Sequence, residues 1–540
     1  MRRYRPMRLV LALFVASALA SEDEKLDFSF MVPMRDGVRL ATTVRRPAGD
    51  GPWPAVLVRT PYGWHSKKLH ERTKEFTDHG YVAVIQNLRG RFDSEGEDYP
   101  VFVSDGWGKM QDGYDTVEWI ASQPWCNGKV ATVGSSAMGI TQNMMAPSRP
   151  PHLVCQRVGV AMSSMYHEAA YQGGVFRQAL IEGWLEKNHF DRRNIKTIRA
   201  HQLYDDFWRR LDARSVADQV QVPVMYLGGW YDIFSQGTIE SYLAVNGRGS
   251  GRARGNCRLV MGPFGHGYSP DWDFPNRGAP PSAATLRWLN LWLKKDGKGI
   301  KRIPPVQYYV LGDPDAKNEP GCEWRTAQSW PIPATRTPFY LHKNGSLSRV
   351  SPKIRAGFRS VHYEPRNPVP TFGGANLNIL KGPRDQRPVE NRPDVLLFTS
   401  SRLTAPLEVT GRIYVKLWVS SSTLDTDFTA KLTDVFPDGR SMLVLDGIRR
   451  MSHRRSFTRR EPIEPGEIYE LEIDLWSVSI VFNTGHRVRL IVSSSNAPRF
   501  EPNLNIGPPW DARGRAIPAR NTVYLDASHP SHLLLPLPQG

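Results

Sequence analysis

The sequence predicts an α/β unit built on a doubly wound, mainly parallel sheet, interrupted by a helical cap and followed by an all-β sandwich of the jelly-roll kind. Three observations predict it. Short apolar, β-branched runs alternate with helix-like stretches from residue 55 to residue 293, the pattern of strands joined by helical crossovers. A stretch rich in aromatic and charged residues, without a buried strand, divides that series at 164–213. Beyond 335, apolar residues recur at every second position in several runs separated by turn residues, the period of strands in a sandwich. A chain of 540 residues is also too long for one core, so several domains are expected.

The elements follow in order. Residues 1–20 open with Arg2, Arg3, Arg5 and Arg8, continue with an apolar stretch over 9–19, and end on Ala18-Leu19-Ala20. That is the pattern of a secretory signal peptide cleaved after Ala20, which predicts a secreted or periplasmic protein. The apolar stretch is short for a bilayer and no later one is long enough, so no integral membrane span is expected. In 21–163, alternation around Arg35-Asp36-Gly37 predicts a hairpin, and apolar runs at 55–58, 82–85 and 130–133 predict strands. A helix is predicted over 112–122, with Val117, Trp119 and Ile120 facing inward. The insertion at 164–213 carries Tyr166, Tyr171, Phe176, Trp184, Phe190 and Trp208, most of them expected to form the small core of the cap. Residues 214–334 complete the α/β unit with strands at 222–227 and 258–261 and an amphipathic helix over 284–293. In 335–540, Ile413-Tyr-Val-Lys-Leu-Trp-Val419 is among the clearest sandwich strands, and no compact catalytic motif appears.

Composition bounds the function. A 40% hydrophobic and 23% charged chain is an ordinary folded protein without a disorder signature. The net charge of +17, lower by four without the arginines of the leader, favours loose contact with anionic surfaces but says little about chemistry. The densest basic run, Arg449 to Arg460, lacks a nucleic-acid motif and reads as a solvated loop, so no nucleic-acid partner is expected. Four cysteines, Cys126, Cys155, Cys257 and Cys322, allow three full pairings in an exported protein. Cys126 and Cys155 fall near the starts of neighbouring predicted strands, which makes that pair geometrically possible. No CxxC, HExxH or other ligand cluster occurs, so neither a metal nor a cofactor is predicted.

The chemistry concentrates in Lys129-Val-Ala-Thr-Val-Gly-Ser-Ser-Ala-Met-Gly139. A β-branched run stops at Gly134, Ser136 follows, and Gly139 stands three residues later. Small flanking residues let a strand turn sharply into a helix while a serine oxygen faces outward. A serine hydroxyl is a weak nucleophile and needs an imidazole base, a carboxylate to orient it and donors for the oxyanion. Fourteen histidines compete for the base. His266, in Met261-Gly-Pro-Phe-Gly-His-Gly267, stands just past a predicted strand, at the edge where open α/β sheets bind ligands. Asp232, in Gly228-Gly-Trp-Tyr-Asp232, follows the preceding strand in the same way. The order Ser, Asp, His is that of α/β-hydrolase triads.

These features run together with Arg59-Thr-Pro-Tyr62, Asn87-Leu-Arg-Gly-Arg-Phe-Asp-Ser-Glu-Gly96, Asp112-Gly-Tyr-Asp-Thr-Val-Glu-Trp-Ile120 and Gln123-Pro-Trp-Cys-Asn-Gly-Lys129. In this series the chain resembles the cocaine esterase/X-prolyl dipeptidyl-peptidase family of serine hydrolases, which also holds α-amino-acid ester hydrolases and glutaryl acylases. The resemblance covers nearly all of the chain past the leader. It implies an α/β-hydrolase core, a helical cap and a C-terminal jelly roll, with Ser136 as nucleophile, Asp232 as orienting carboxylate and His266 as base. It also implies an oxyanion hole made by the Tyr62 hydroxyl and the backbone N–H of Ala137. The substrate class implied is a small-molecule ester or amide, short peptides included. Carboxylester hydrolysis or acyl transfer is preferred, with X-prolyl dipeptidyl-peptidase as runner-up and a non-catalytic surface- or carbohydrate-binding protein as the reading from another class. A dipeptidyl-peptidase needs acidic side chains for a free N-terminus, for which Glu168 and Glu182 of the cap are the candidates. Ala137 stands where relatives carry an aromatic residue, which implies a wider acyl pocket. Met138 stands where some amino-ester hydrolases carry an acidic group. A homo-oligomer is left open.

Overall fold

The computed structural model describes residues 27–64, 67–267, 273–510 and 515–539. The predicted leader therefore lies outside the described residues. A 10-stranded sheet forms the first half, and its strands appear in chain order as follows. A hairpin of β1 (Asp27–Pro33) and β2 (Arg39–Arg45) turns at Arg35-Asp36-Gly37 as predicted. Then come β3 (Trp53–Thr60), α1 (Lys67–Asp78), β4 (Val82–Asn87), α2 (Asp112–Ala121), β5 (Cys126–Ser135), α3 (Ala137–Met145) and β6 (Leu153–Gly159). A short hairpin, β7 (Tyr171–Gln172) and β8 (Val175–Phe176), precedes three helices, α4 (Gln178–Lys187), α5 (Arg193–Ala200) and α6 (Asp206–Arg209). The sheet resumes with β9 (Val224–Tyr231), α7 (Ser235–Arg248), β10 (Arg258–Gly265), α8 (Thr285–Leu289), β11 (Val306–Val310) and β12 (Glu323–Ala327).

Seven consecutive strands of the sheet, β4-β3-β5-β6-β9-β10-β11, are mutually parallel, and β1, β2 and β12 are antiparallel at the edges. Burial on both faces explains the continuous apolar runs. In β3, Val56 and Val58 pack with Leu69 and Phe76 of α1 on one face, while Ala55 and Leu57 pack with Val117 and Ile120 of α2 on the other. Trp119 is only half-buried: two positions from Val117 it lies round the helix, edge-on to Phe30 of the hairpin with centroids 5.3 Å apart. The helix expected over 284–293 is α8 continued through a single π turn, Asn290–Lys294. Strands β11 and β12 were not legible, β11 being five residues long and β12 a half-exposed edge.

From Ala334 onward the chain forms two facing antiparallel sheets, of seven and four strands. Strand Leu407–Ser421 shows why its sequence alternates: Ile413, Val415, Leu417 and Val419 are fully buried at every second position.

One expectation is corrected and one open possibility is closed. The basic run 449–460 is not a solvated loop but a tie to the helical insertion. Arg450 pairs with buried Asp427 at 2.9 Å, and its N–H donates to the carbonyl of Gly173 in the β7–β8 turn at 3.0 Å. Arg449 stacks on Phe457 at 4.3 Å, and the Phe457 carbonyl accepts from the Tyr204 N–H at 2.8 Å. Arg455 and Arg459 of this run are largely exposed. The Cys126–Cys155 pair does not form, and all four cysteines are free thiols. Cys155 is in register with Ala131, five residues along β5 from Cys126, a displacement of about 16 Å, whereas a disulfide needs Cα atoms within about 7 Å.

Candidate active site

Parallel strands put all their carboxyl ends at one edge, and the sequence-predicted site residues follow four of them. Tyr62 comes two residues after β3, Ser136 directly after β5, Asp232 after β9 and His266 after β10. Strands β3 and β5 are neighbours at the point where the winding of the sheet reverses, which is where such folds open a crevice. Tyr62 and Ser136 flank that point.

Ser136 has φ 60° and ψ −130°, a conformation that costs a non-glycine residue about 1–3 kcal/mol. The turn holds it there. Its carbonyl accepts from the N–H groups of Gly139 (2.7 Å) and Ile140 (2.8 Å), and its own N–H donates to the Gly159 carbonyl at 3.0 Å. A Cβ on Gly134 would lie 2.6 Å from Met138 Cβ, and one on Gly139 2.8 Å from Ala161 Cβ, so neither position admits a side chain without displacing its neighbour. Ser135 points elsewhere, its Oγ against Gly159.

His266 joins the other two residues. Its Nε2 is 2.8 Å from Ser136 Oγ, and its Nδ1 is 2.7 Å from Asp232 Oδ2. A carboxylate only accepts, so Nδ1 carries the proton, and in the neutral ring Nε2 is left to accept from the Ser136 hydroxyl. Asp232 is fully buried, and its second oxygen accepts the Phe234 N–H at 2.7 Å. The Phe234 ring stands edge-on to the imidazole at 5.8 Å.

The Tyr62 hydroxyl accepts from Trp184 Nε1 at 3.0 Å and is in hydrogen-bond contact with Ser136. Burial raises the phenol pKa, only partly opposed by those hydrogen bonds, which keeps the group neutral and able to donate. The Ala137 N–H is the first amide of α3 and has no acceptor within the helix. Trp184, on α4, is thus not merely part of the insertion's core, unlike buried Tyr166, Tyr171, Phe176, Phe190 and Trp208. The other motif blocks are scaffold. Arg91 donates to the Pro61 carbonyl at 3.2 Å, pairs with Asp98 at 2.8 Å and reaches the Asn188 carbonyl at 2.6 Å, fixing the Tyr62 loop to the segment after α4. Arg59 pairs with Asp105, whose carboxyl is pushed up to about 6 by burial, and Arg89 grips Asp112 through two nitrogens at 2.6 and 3.0 Å.

A small apolar void of about 30 Å³, partly open to solvent, adjoins Ser136 and Ala137. Phe102, Ile140, Leu180, Trp184, Phe234 and Leu377 are among its walls, and among the described residues no charged side chain is. Leu377 comes from the C-terminal half, and no sequence signal pointed to its arrival here. The two acidic candidates are engaged elsewhere. Glu168, its carboxyl pushed up by burial, accepts the N–H groups of Ser163 (2.8 Å) and Ser164 (3.1 Å) and faces Arg214 at 3.0 Å. Glu182 is gripped by Arg199 at 2.7 and 2.9 Å. Among the described residues no cluster of three or more His, Cys, Asp or Glu side chains is placed to hold a metal ion, and no helix is long and apolar enough to cross a membrane.

A mainly parallel sheet that delivers a serine on a strand–helix turn to a histidine and an aspartate from later strands is an α/β-hydrolase. The comparisons with known proteins narrow the class. The family model described as X-Pro dipeptidyl-peptidase (S15 family) matches residues 36–194 and 184–268, and that of the X-Pro dipeptidyl-peptidase C-terminal non-catalytic domain matches 298–534. Cocaine esterase of Rhodococcus sp. (strain MB1 Bresler) is 34% identical, over 94% of this chain and 97% of that protein. Among solved structures, an α-amino acid ester hydrolase superposes with a TM-score of 0.81 at 27% identity, over 99% of this chain and 100% of that one. An aminopeptidase from a Thaumarchaeota archaeon shares the fold, with a TM-score of 0.82 at 24% identity over 94% and 95% of the two chains. The chain belongs to the S15/CocE family of serine esterases and dipeptidyl-peptidases and is a serine hydrolase.

Proposed function

We propose that this enzyme cleaves carboxylic esters of neutral, apolar acyl groups through an acyl-enzyme, with Ser136 as nucleophile, His266 as general base and then acid, and Asp232 holding the imidazole. The observation that carries the reading is the unbroken relay from Asp232 through His266 to Ser136 Oγ, at 2.7 and 2.8 Å. Attack on the carbonyl transfers the serine proton to Nε2, and collapse of the tetrahedral adduct returns it to the leaving alkoxide. Tyr62 O–H and the Ala137 N–H are assigned to the oxyanion, which needs donors aimed where charge develops.

The acyl preference follows from the void beside Ser136. Its aromatic and branched aliphatic walls suit an apolar acyl group. The cocaine esterase relationship supports an ester substrate. The dipeptidyl-peptidase model supports the second reading, but that activity needs a carboxylate for a free ammonium, and both candidates are committed elsewhere. Export is part of the proposal, supported by the basic and apolar pattern of residues 1–20. Profiling purified enzyme on p-nitrophenyl acyl esters, amino-acid esters and Xaa-Pro anilides tests the reading. The expected order is neutral acyl esters well ahead of the other two; a preference for Xaa-Pro anilides would replace it with the peptidase reading.

A further inference from the structure

His266 lies at a weak point of the backbone. The β10 ladder ends at Gly265, which pairs with Tyr231, and past it an isolated bridge joins Gly265 to Gly267 around His266. Gly267 follows at φ +87°, a left-handed conformation that glycine enters and leaves freely. The ladder thus stops one residue short of His266, and a shift of the peptide that follows it would carry Nε2 away from Ser136.

A finger from the C-terminal half reaches this point. Residues 374–382 form a closed loop: Gly374 and Gly382 exchange backbone hydrogen bonds at 2.8 and 2.9 Å. Buried Asn376 ties the loop from within, its amide donating to the carbonyls of Gly373 and Leu380, both at 2.8 Å. The loop also packs on α4, where a Cβ on Gly183 would meet Asn378 Nδ2 at 2.8 Å. Held in this way, it places Leu377 in the wall of the void and Lys381 against the histidine loop. Lys381 Nζ donates to the His266 carbonyl oxygen at 3.0 Å, and among the described residues it has no carboxylate partner.

We propose that Lys381 is a positioning residue for the hydrolytic reaction, clamping the His266 peptide so that the imidazole stays in line between Asp232 and Ser136. The proposal rests on His266 being the base. A charge-assisted hydrogen bond from a loop closed on itself adds a side-chain anchor to the peptide just past the β10 ladder. It also makes turnover depend on docking of the C-terminal half, with Lys381 acting through the His266 backbone.

The test is a series of Lys381→Met, Lys381→Arg and His266→Ala in the full chain, with kcat and KM on a p-nitrophenyl ester and the melting temperature of each. Misplacing a catalytic group by about 1 Å costs on the order of 100-fold, so Lys381→Met is expected to lose about 10- to 100-fold in kcat with KM within twofold. Lys381→Arg, which keeps a donor, should return to within about threefold of wild type. Full turnover in Lys381→Met beside an inactive His266→Ala overturns the clamp and leaves the base assignment standing. A loss that arginine does not rescue, with KM rising and the melting temperature falling together, also overturns it, as the lysine would then serve packing alone. Full turnover in His266→Ala overturns both readings.

Discussion

Removing the hydroxyl of Tyr62 tests the site most sharply, because the structure separates two consequences of that one change. Tyr62→Phe keeps the ring and deletes a single oxygen. If that oxygen's proton stabilises the tetrahedral intermediate, kcat should fall on the order of 10²–10³-fold, about 3 to 4 kcal/mol of transition-state stabilisation. KM should move little, since the donor acts once charge develops. The same oxygen accepts from Trp184 Nε1 at 3.0 Å, so the variant also strands an indole N–H in a half-buried place. A stranded donor costs about 1–3 kcal/mol, and the melting temperature should drop accordingly. In Tyr62→Phe/Trp184→Phe the stranded donor is gone: stability should recover while kcat stays low. The assay is steady-state hydrolysis of p-nitrophenyl esters where acylation limits, beside thermal unfolding of the same preparations. A folded Tyr62→Phe enzyme with kcat within a few-fold of wild type would refute the oxyanion assignment, and the second donor would then have to be a backbone N–H.

Ser136→Ala should abolish turnover and labelling by a fluorophosphonate while the protein stays folded, whereas Ser135→Ala should keep both; the opposite pattern would mean the nucleophile is assigned one residue out of register. Lys431, 2% exposed and bonded to Gln386 Oε1 at 3.2 Å, has its pKa pulled down to about 8 by burial. A free lysine titrates near ~10.4, so between about pH 8 and 10 the unfolded chain binds more protons and this site's contribution to stability improves as pH rises. Below about pH 8 the buried ammonium costs on the order of 3 kcal/mol. Lys431→Met should therefore melt above wild type at pH 7, with the gap closing toward pH 10, and a lower melting temperature at pH 7 would contradict this account. Secreted enzyme should begin at Ser21 by intact mass, and a mature chain retaining Arg2 to Arg8 would remove the export proposal.

Much of the site was legible because its sequence signals are local. A strand cannot turn into a helix around an outward serine without small residues at Gly134 and Gly139, where a Cβ meets its neighbours at 2.6 and 2.8 Å. The placement of Asp232 and His266 was legible because each directly follows a strand, and parallel strands bring such positions to one edge. Trp184 was legible only as one more aromatic residue of the insertion, and nothing in its neighbourhood pointed to a tyrosine 122 positions earlier. Arg91, seen as part of a motif, had no readable partner until the Pro61 and Asn188 carbonyls came into place.

By itself, then, the sequence determined the periodicities, the strand–helix turn at Ser136 and the placing of Asp232 and His266 after later strands, all set by sterics and burial within a few residues of chain. Only the tertiary structure decided how separately patterned segments meet. It turned the basic run at 449–460 into a tie between the sandwich and the β7–β8 hairpin, since Arg450 finds buried Asp427 there and the Gly173 carbonyl beyond it. It kept Cys126 and Cys155 apart, because strand register and not sequence spacing sets which residues lie side by side. It brought Leu377 and Lys381 to a site more than a hundred residues away in the chain. The physical reason is common to these cases. Alternation and turn chemistry fix which face of an element is buried, but not which foreign surface will cover it; that depends on the shapes of all the elements once they are packed.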